Sequence, residues 1–217
     1  MSQQELLENL SIDYDPRPEL ISAATYFYTQ GWMLGTAGNL SAKMSDGSFW
    51  ITASGKSKGK LRYEDFVRVY PDGSFQQAAP LEPPNKPSAE TSIHQAIYEL
   101  FPDVQACYHV HSVDANLVSN FVEGDELPLP SLEMLKGLGV WEENPQCNIP
   151  LFDNHLHVPQ IAEDIKTRSQ QLTRIPALLI RNHGVTVWAN SLETARNYIE
   201  ITEYVFRYIV AAKKAGV

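Results

Sequence analysis

Two imidazoles stand two residues apart in Cys107-Tyr108-His109-Val110-His111-Ser112, inside a run that otherwise reads as buried strand. Side chains alternate across a strand, so His109 and His111 leave one face together with Cys107, while Ala106, Tyr108 and Val110 face the other way. Imidazoles placed like this can converge on one metal ion. His183, in Asn182-His183-Gly184 at a strand end, can add a third once the strands pair. Three imidazoles leave a tetrahedral ion one open position, which is the pattern of a catalytic zinc site. Structural sites close with four protein ligands and usually use cysteine. Cys107 is the candidate for that fourth ligand, against its more ordinary role as a small buried hydrophobe. A second pair, His155 and His157, falls in Asp153-Asn154-His155-Leu156-His157-Val158-Pro159, a loop bounded by Asn and Pro, and reads as exposed. It is the competing metal pair. His94 follows Glu90 by four residues on a helix, and a hydrogen-bonding role is expected for it.

Two glycine-containing loops, Gly35-Thr36-Ala37-Gly38-Asn39 and Thr52-Ala53-Ser54-Gly55-Lys56, have the composition of phosphate cradles built from backbone N–H groups and hydroxyls. Neither matches a Walker or dinucleotide fingerprint. Glu90, near a helix start, and Glu133, in Leu132-Glu133-Met134-Leu135-Lys136-Gly137, are the carboxylates that stand out as acid/base candidates.

These residues need a scaffold, and the chain offers one. Its 217 residues carry a formal charge of -9 and only two cysteines, Cys107 and Cys147. One domain over residues 1–217 in a reducing compartment is expected, without a disulfide framework. The acidic balance argues against nucleic acid or an anionic membrane as partner. The first twenty residues lack a basic stretch followed by an apolar one, so a cytoplasmic location is expected. Apolar spacing predicts a helix over residues 17–30 ended by Gly31, and another over 87–101 capped by Ser88 and ended by Pro102. It also predicts strands at 40–43, 48–51, 67–69, 104–111, 177–181 and 185–188, a helix from Asp114, and a last helix after Ser191. Turn signals at Ser45-Asp46-Gly47 and Pro71-Asp72-Gly73 indicate hairpins rather than βαβ units. The expected fold class is α/β (α+β): a three-layer domain with a central, mainly antiparallel sheet flanked by helices.

Taken in order, Gly35-Thr36-Ala37-Gly38-Asn39-Leu40-Ser41, Thr52-Ala53-Ser54-Gly55-Lys56, Lys86-Pro87-Ser88-Ala89-Glu90-Thr91, His109-Val110-His111-Ser112 and Asn182-His183-Gly184 resemble the class II (zinc) aldolase and adducin-head family over nearly the whole chain. Ser54-Gly55-Lys56-Ser57-Lys58-Gly59, Leu132-Glu133-Met134-Leu135-Lys136-Gly137 and Trp141-Glu142-Glu143-Asn144 are most similar to a dehydratase branch that handles a ketose 1-phosphate in methionine salvage. The resemblance implies a homotetramer with its site at a subunit interface. One Zn2+ per subunit would be held by His109, His111 and His183, and Asn39, Ser54, Gly55 and Ser88 would surround a substrate phosphate. By the same carry-over, Glu133 matches the acid/base of the dehydratases and Glu90 the catalytic glutamate of the aldolases. A sugar-phosphate aldolase, a pentulose-phosphate 4-epimerase and a non-catalytic binding module are the alternatives on the same fold.

Overall fold

The computed structural model describes residues 14–217, and the reading of the amino-terminal segment falls largely on residues 1–13, outside them. Among the described residues nine strands form one sheet: β1 Asn39–Lys43, β2 Phe49–Thr52, β3 Phe66–Val69, β4 Phe75–Gln77, β5 Ala106–Val110, β6 Glu126–Pro128, β7 Asn148–Phe152, β8 Ala177–Ile180 and β9 Gly184–Ala189. Their order across the sheet is β4-β3-β2-β1-β5-β9-β8-β7-β6. The α-helices are α1 Arg17–Thr29, α2 Thr91–Leu100, α3 Val113–Ser119, α4 Val158–Thr167 and α5 Leu192–Ala215.

The hairpins of the first half come from local chemistry. Asp46 Oδ1 accepts from the backbone N–H and hydroxyl of Ser48, and Asp72 does the same for Ser74. These are side-chain turns that reverse the chain between β1 and β2 and between β3 and β4. The ladders are antiparallel with one exception. β7 and β8 run parallel and are joined through α4, so one βαβ unit stands in a sheet where hairpins alone were expected.

The two faces of the sheet are covered by different helices. Leu20, Ala24 and Phe27 of α1 and Ala195, Ile199 and Phe206 of α5 pack with Tyr108, Val110, Val185 and Val187. Ile93 and Ile97 of α2 and Ile161 and Ile165 of α4 pack with Ile51, Cys107, Leu178 and Trp188 on the opposite side. Neighbours along β5 and β9 thus divide between the two layers with the period of two that a strand imposes. This is the expected three-layer architecture.

Two boundaries near the motifs differ from expectation. α2 starts at Thr91 rather than Pro87, because Pro87 is held extended in an isolated bridge with Ala53. Ser88 therefore does not cap the helix. Its Oγ accepts from the Glu90 N–H, and Glu90 itself occupies the N-cap position. β5 ends at Val110, and His111 lies one residue past it with its N–H donated to the Trp32 carbonyl at 2.8 Å.

Candidate metal centre

Cross-strand register builds the centre. His109 lies directly opposite Asn39 of β1 and Thr186 of β9. Directly opposed residues have Cβ atoms about 5 Å apart, within side-chain reach. His109 Nδ1 is hydrogen-bonded to Thr186 Oγ1 at 2.8 Å, which leaves Nε2 facing inward. His183 comes from the tight turn between β8 and β9, where Asn182 takes a positive φ of 52° and the His183 N–H donates to the Ile180 carbonyl. The next residue has to be glycine. A Cβ on Gly184 would sit 2.1 Å from the Val110 carbonyl oxygen, so any side chain would push β9 away from β5 and carry His183 with it.

His109, His111, His183 and Glu90 each offer a ligand atom, and these atoms lie within 4.8 Å of one another. His109 Nε2 and His111 Nε2 are 2.8 Å apart. Glu90 Oε1 accepts from His183 Nε2 at 2.8 Å, and its Oε2 lies 3.3 Å from His109 Nε2. Burial drives His109 and His111 neutral, pushing His109 well below the ordinary histidine range and His111 down to about 4, with Glu90 partly opposing the shift in both. Burial also opposes charge on Glu90. The neighbouring His109 and the hydrogen bonds from His183 and Asn39 outweigh it and hold that carboxyl below the ordinary carboxylate range.

Inward-facing imidazole nitrogens crowded beside a carboxylate are what a divalent cation requires. The donor set fits such an ion.

Behind Glu90 runs a buried chain of polar groups. Asn39 Nδ2 donates to Glu90 Oε2, Asn39 Oδ1 is hydrogen-bonded to His94 Nε2, and Ser41 Oγ joins His94 Nδ1 at 2.6 Å and the Tyr98 hydroxyl at 2.7 Å. His94 has the hydrogen-bonding place expected of it, and its burial lowers its pKa to about 4. Asn39 is accordingly 3% exposed and committed to Glu90.

The remaining candidates separate. Ser54 and Gly55 are brought beside the segment holding Ser88 by the Ala53–Pro87 bridge, with the Ser54 N–H donated to the Lys86 carbonyl. Cys107 is fully buried in the α2 and α4 layer, its thiol pushed up by burial, and it takes no place in the cluster. His155 pairs with Asp164 at 2.9 Å and His157 is exposed at the start of α4. Glu133 lies on a short 3₁₀ turn, Glu133–Leu138, with its side chain 83% exposed and paired to Lys136 at 2.8 Å. The chain by itself does not bring Glu133 into the histidine cluster. Thr186, Ser41 and Tyr98 are contributors that the sequence reading did not single out, since strand pairing brings Thr186 and Ser41 to the site and the packing of α2 on the sheet brings Tyr98.

Comparison with known proteins agrees with this geometry. The class II aldolase and adducin N-terminal domain family matches residues 18–210. A protein of Microcystis aeruginosa named methylthioribulose-1-phosphate dehydratase is 65% identical over 199 residues, covering 91% of this chain and 96% of the relative. One of Leptospira biflexa with the same name is 44% identical over 207 residues, covering 90% and 96%. Among solved structures, YgbL from Escherichia coli superposes with a TM-score of 0.76 at 27% identity, covering 90% of this chain and 88% of its own. L-fuculose-1-phosphate aldolase from Thermus thermophilus shares the fold with a TM-score of 0.74 at 20% identity, covering 92% and 94%.

Proposed function

The chain belongs to the class II aldolase and adducin N-terminal domain family, and from that premise we propose a metal-dependent hydro-lyase that removes water from 5-methylthioribulose 1-phosphate in methionine salvage. The observation that carries the reading is the convergence of His109, His111 and His183 beside Glu90 in a chain 65% identical to a dehydratase of that name. Zn2+ suits three imidazole ligands, one ion per subunit. The active form is read as a cytoplasmic homotetramer of single-domain subunits, residues 1–217, and no helix among the described residues is long and apolar enough to cross a membrane.

His109, His111 and His183 would hold the ion, which when bound supplies Lewis acidity to the substrate's C2 carbonyl and C3 hydroxyl. The protein's own groups do the rest. A carboxylate takes the C3 proton, an acid protonates the C4 hydroxyl so that it departs as water, and the resulting enol ketonises to the 2,3-diketone. Glu90 is the carboxylate already inside the cluster, where Asn39 and His94 fix its orientation. Glu133, exposed on its own subunit, suits delivery into a site completed by a neighbouring copy. Ser54, Gly55 and Ser88, neighbours through the Ala53–Pro87 bridge just past the end of β2, are read with Asn39 as the surroundings of the phosphate.

The test is product identification by NMR after incubation with 5-methylthioribulose 1-phosphate, with and without a chelator. A chelator-sensitive 5-methylthio-2,3-diketopentyl 1-phosphate is the expected product. Dihydroxyacetone phosphate would mean cleavage of C3–C4 and an aldolase, and an inverted C4 centre an epimerase.

A further inference from the structure

Lys58 is 2% exposed and is the only buried lysine or arginine among the described residues. Its ammonium donates to the Thr36 carbonyl at 2.8 Å and the Lys56 carbonyl at 2.9 Å. Both partners are neutral, and no ion pair joins Lys58 to a described carboxylate. An ammonium has three donors, so one is uncommitted. The neighbouring cation, Lys56, is already paired with Asp65 at 3.0 Å.

An isolated buried charge is costly unless something opposite in sign meets it. What surrounds Lys58 indicates what that is. Glu90 of the metal cluster is the carboxylate whose negative charge favours the Lys58 ammonium against its burial, although no ion pair joins the two. Through Thr36 and Lys56 the lysine ties the first glycine turn to the loop carrying Ser54 and Gly55. In that loop Gly55 has a φ of 73°, and no described hydrogen bond takes the N–H of Gly55, Lys56 or Ser57. Successive free N–H groups around a left-handed residue form an anion-binding concavity. The lysine is also fixed from outside: a Cβ on Gly59 would lie 2.5 Å from the Tyr28 ring, so glycine there lets the 3₁₀ turn Lys58–Lys60 seat against α1.

We propose that Lys58 is the cation that receives the phosphate of the substrate, clamping the two glycine loops around it and setting the requirement for a phosphorylated sugar. This rests on the sugar-phosphate reading of the site. A bound phosphate completes the third ammonium hydrogen bond and neutralises the buried charge. Because the phosphate is remote from the C3 and C4 atoms that react, Lys58 serves binding rather than the chemical step.

The experiment uses inorganic phosphate as probe on the metal-loaded wild-type protein and on Lys58→Gln, which keeps N–H donors but removes the charge. With metal content and melting temperature retained, the phosphate inhibition constant and KM should each rise about ten- to hundredfold, as for loss of one charge-assisted hydrogen bond, with kcat within about threefold. Unchanged phosphate inhibition and KM in folded Lys58→Gln, or a fall confined to kcat, would overturn the assignment. A crystal structure of the wild-type holoenzyme with inorganic phosphate covers the case of a variant that does not fold. A phosphate oxygen within hydrogen-bonding distance of Nζ supports the assignment, and phosphate seated away from Nζ removes it. Phosphate binding is read without turnover. Wild-type protein that binds phosphate at Lys58 yet leaves 5-methylthioribulose 1-phosphate unchanged keeps the Lys58 assignment and sinks only the dehydratase reading.

Discussion

His109 works as a candidate ligand because Thr186 holds its far nitrogen. A ligating imidazole is oriented by the group on its other ring nitrogen, and loss of such a partner commonly lowers metal affinity by about ten- to a hundredfold. Thr186→Val keeps the side-chain shape and removes the oxygen, so chelator competition should show weakening of that size with the fold intact. Undiminished affinity would make the Thr186 contact incidental. The two carboxylates make a second test. Glu133→Gln should cost about a hundredfold or more in turnover with metal content unchanged, the scale of lost general acid–base catalysis. Glu90→Gln, inside the cluster, should change metal content as well as rate. Full turnover in Glu133→Gln with none in Glu90→Gln would assign the acid/base role to Glu90 alone. At this scale the sequence was partly legible. Alternation along one strand showed that His109 and His111 share a face, whereas Thr186 and Asn39 belong to the centre through register, which no local pattern encodes.

The same limit governs the elements. Helices α1 and α5 announce themselves by apolar periodicity and by Gly31 and Ser191 at their ends. β4 is three residues long, and β7 contains Pro150, which a strand interior ordinarily avoids, so neither has a strong local signal. Helix α5 carries a feature that its amphipathic pattern does not reveal. Glu203 is 3% exposed, and neither of its carboxylate oxygens has a hydrogen-bond partner among the described residues. Burial raises its pKa from 4.5 to about 8, Asp114 adding to the shift and Ser112 and Arg207 opposing it. The unfolded chain therefore releases this proton near pH 4.5 and the folded chain only near 8. Between those values the unfolded state binds fewer protons, so this group lowers stability as pH rises. Glu203→Gln cannot ionise and removes the slope. Its melting temperature should gain on the wild type progressively from about pH 5 to about pH 8, and a constant offset across that range would show that Glu203 does not titrate there.

At the scale of the whole molecule, the largest gap between sequence expectation and the single chain is Glu133. The cluster sits at the end of β5 and at the β8–β9 turn, while Glu133 stands 83% exposed on a 3₁₀ turn packed against α5, next to the half-exposed Met134 and near the exposed Trp141. An exposed acid flanked by exposed apolar side chains suits a surface that a second copy covers, and a homotetramer with shared sites would bring Glu133 of one subunit to the histidines of another. That arrangement has a consequence that a self-contained subunit does not share. Glu133→Gln and His109→Ala should each be inactive alone. Co-assembled from unfolded or co-expressed chains, a mixed tetramer pairs the intact histidines of one variant with the intact glutamate of the other, and activity returns to a substantial fraction of wild type. Separately folded and merely mixed samples should stay inactive, because their interfaces do not exchange. If co-assembled tetramers also stay inactive while native mass spectrometry shows both chains in one particle, the glutamate and the histidines of each site belong to the same chain, and Glu133 has to reach the cluster by movement within its own subunit.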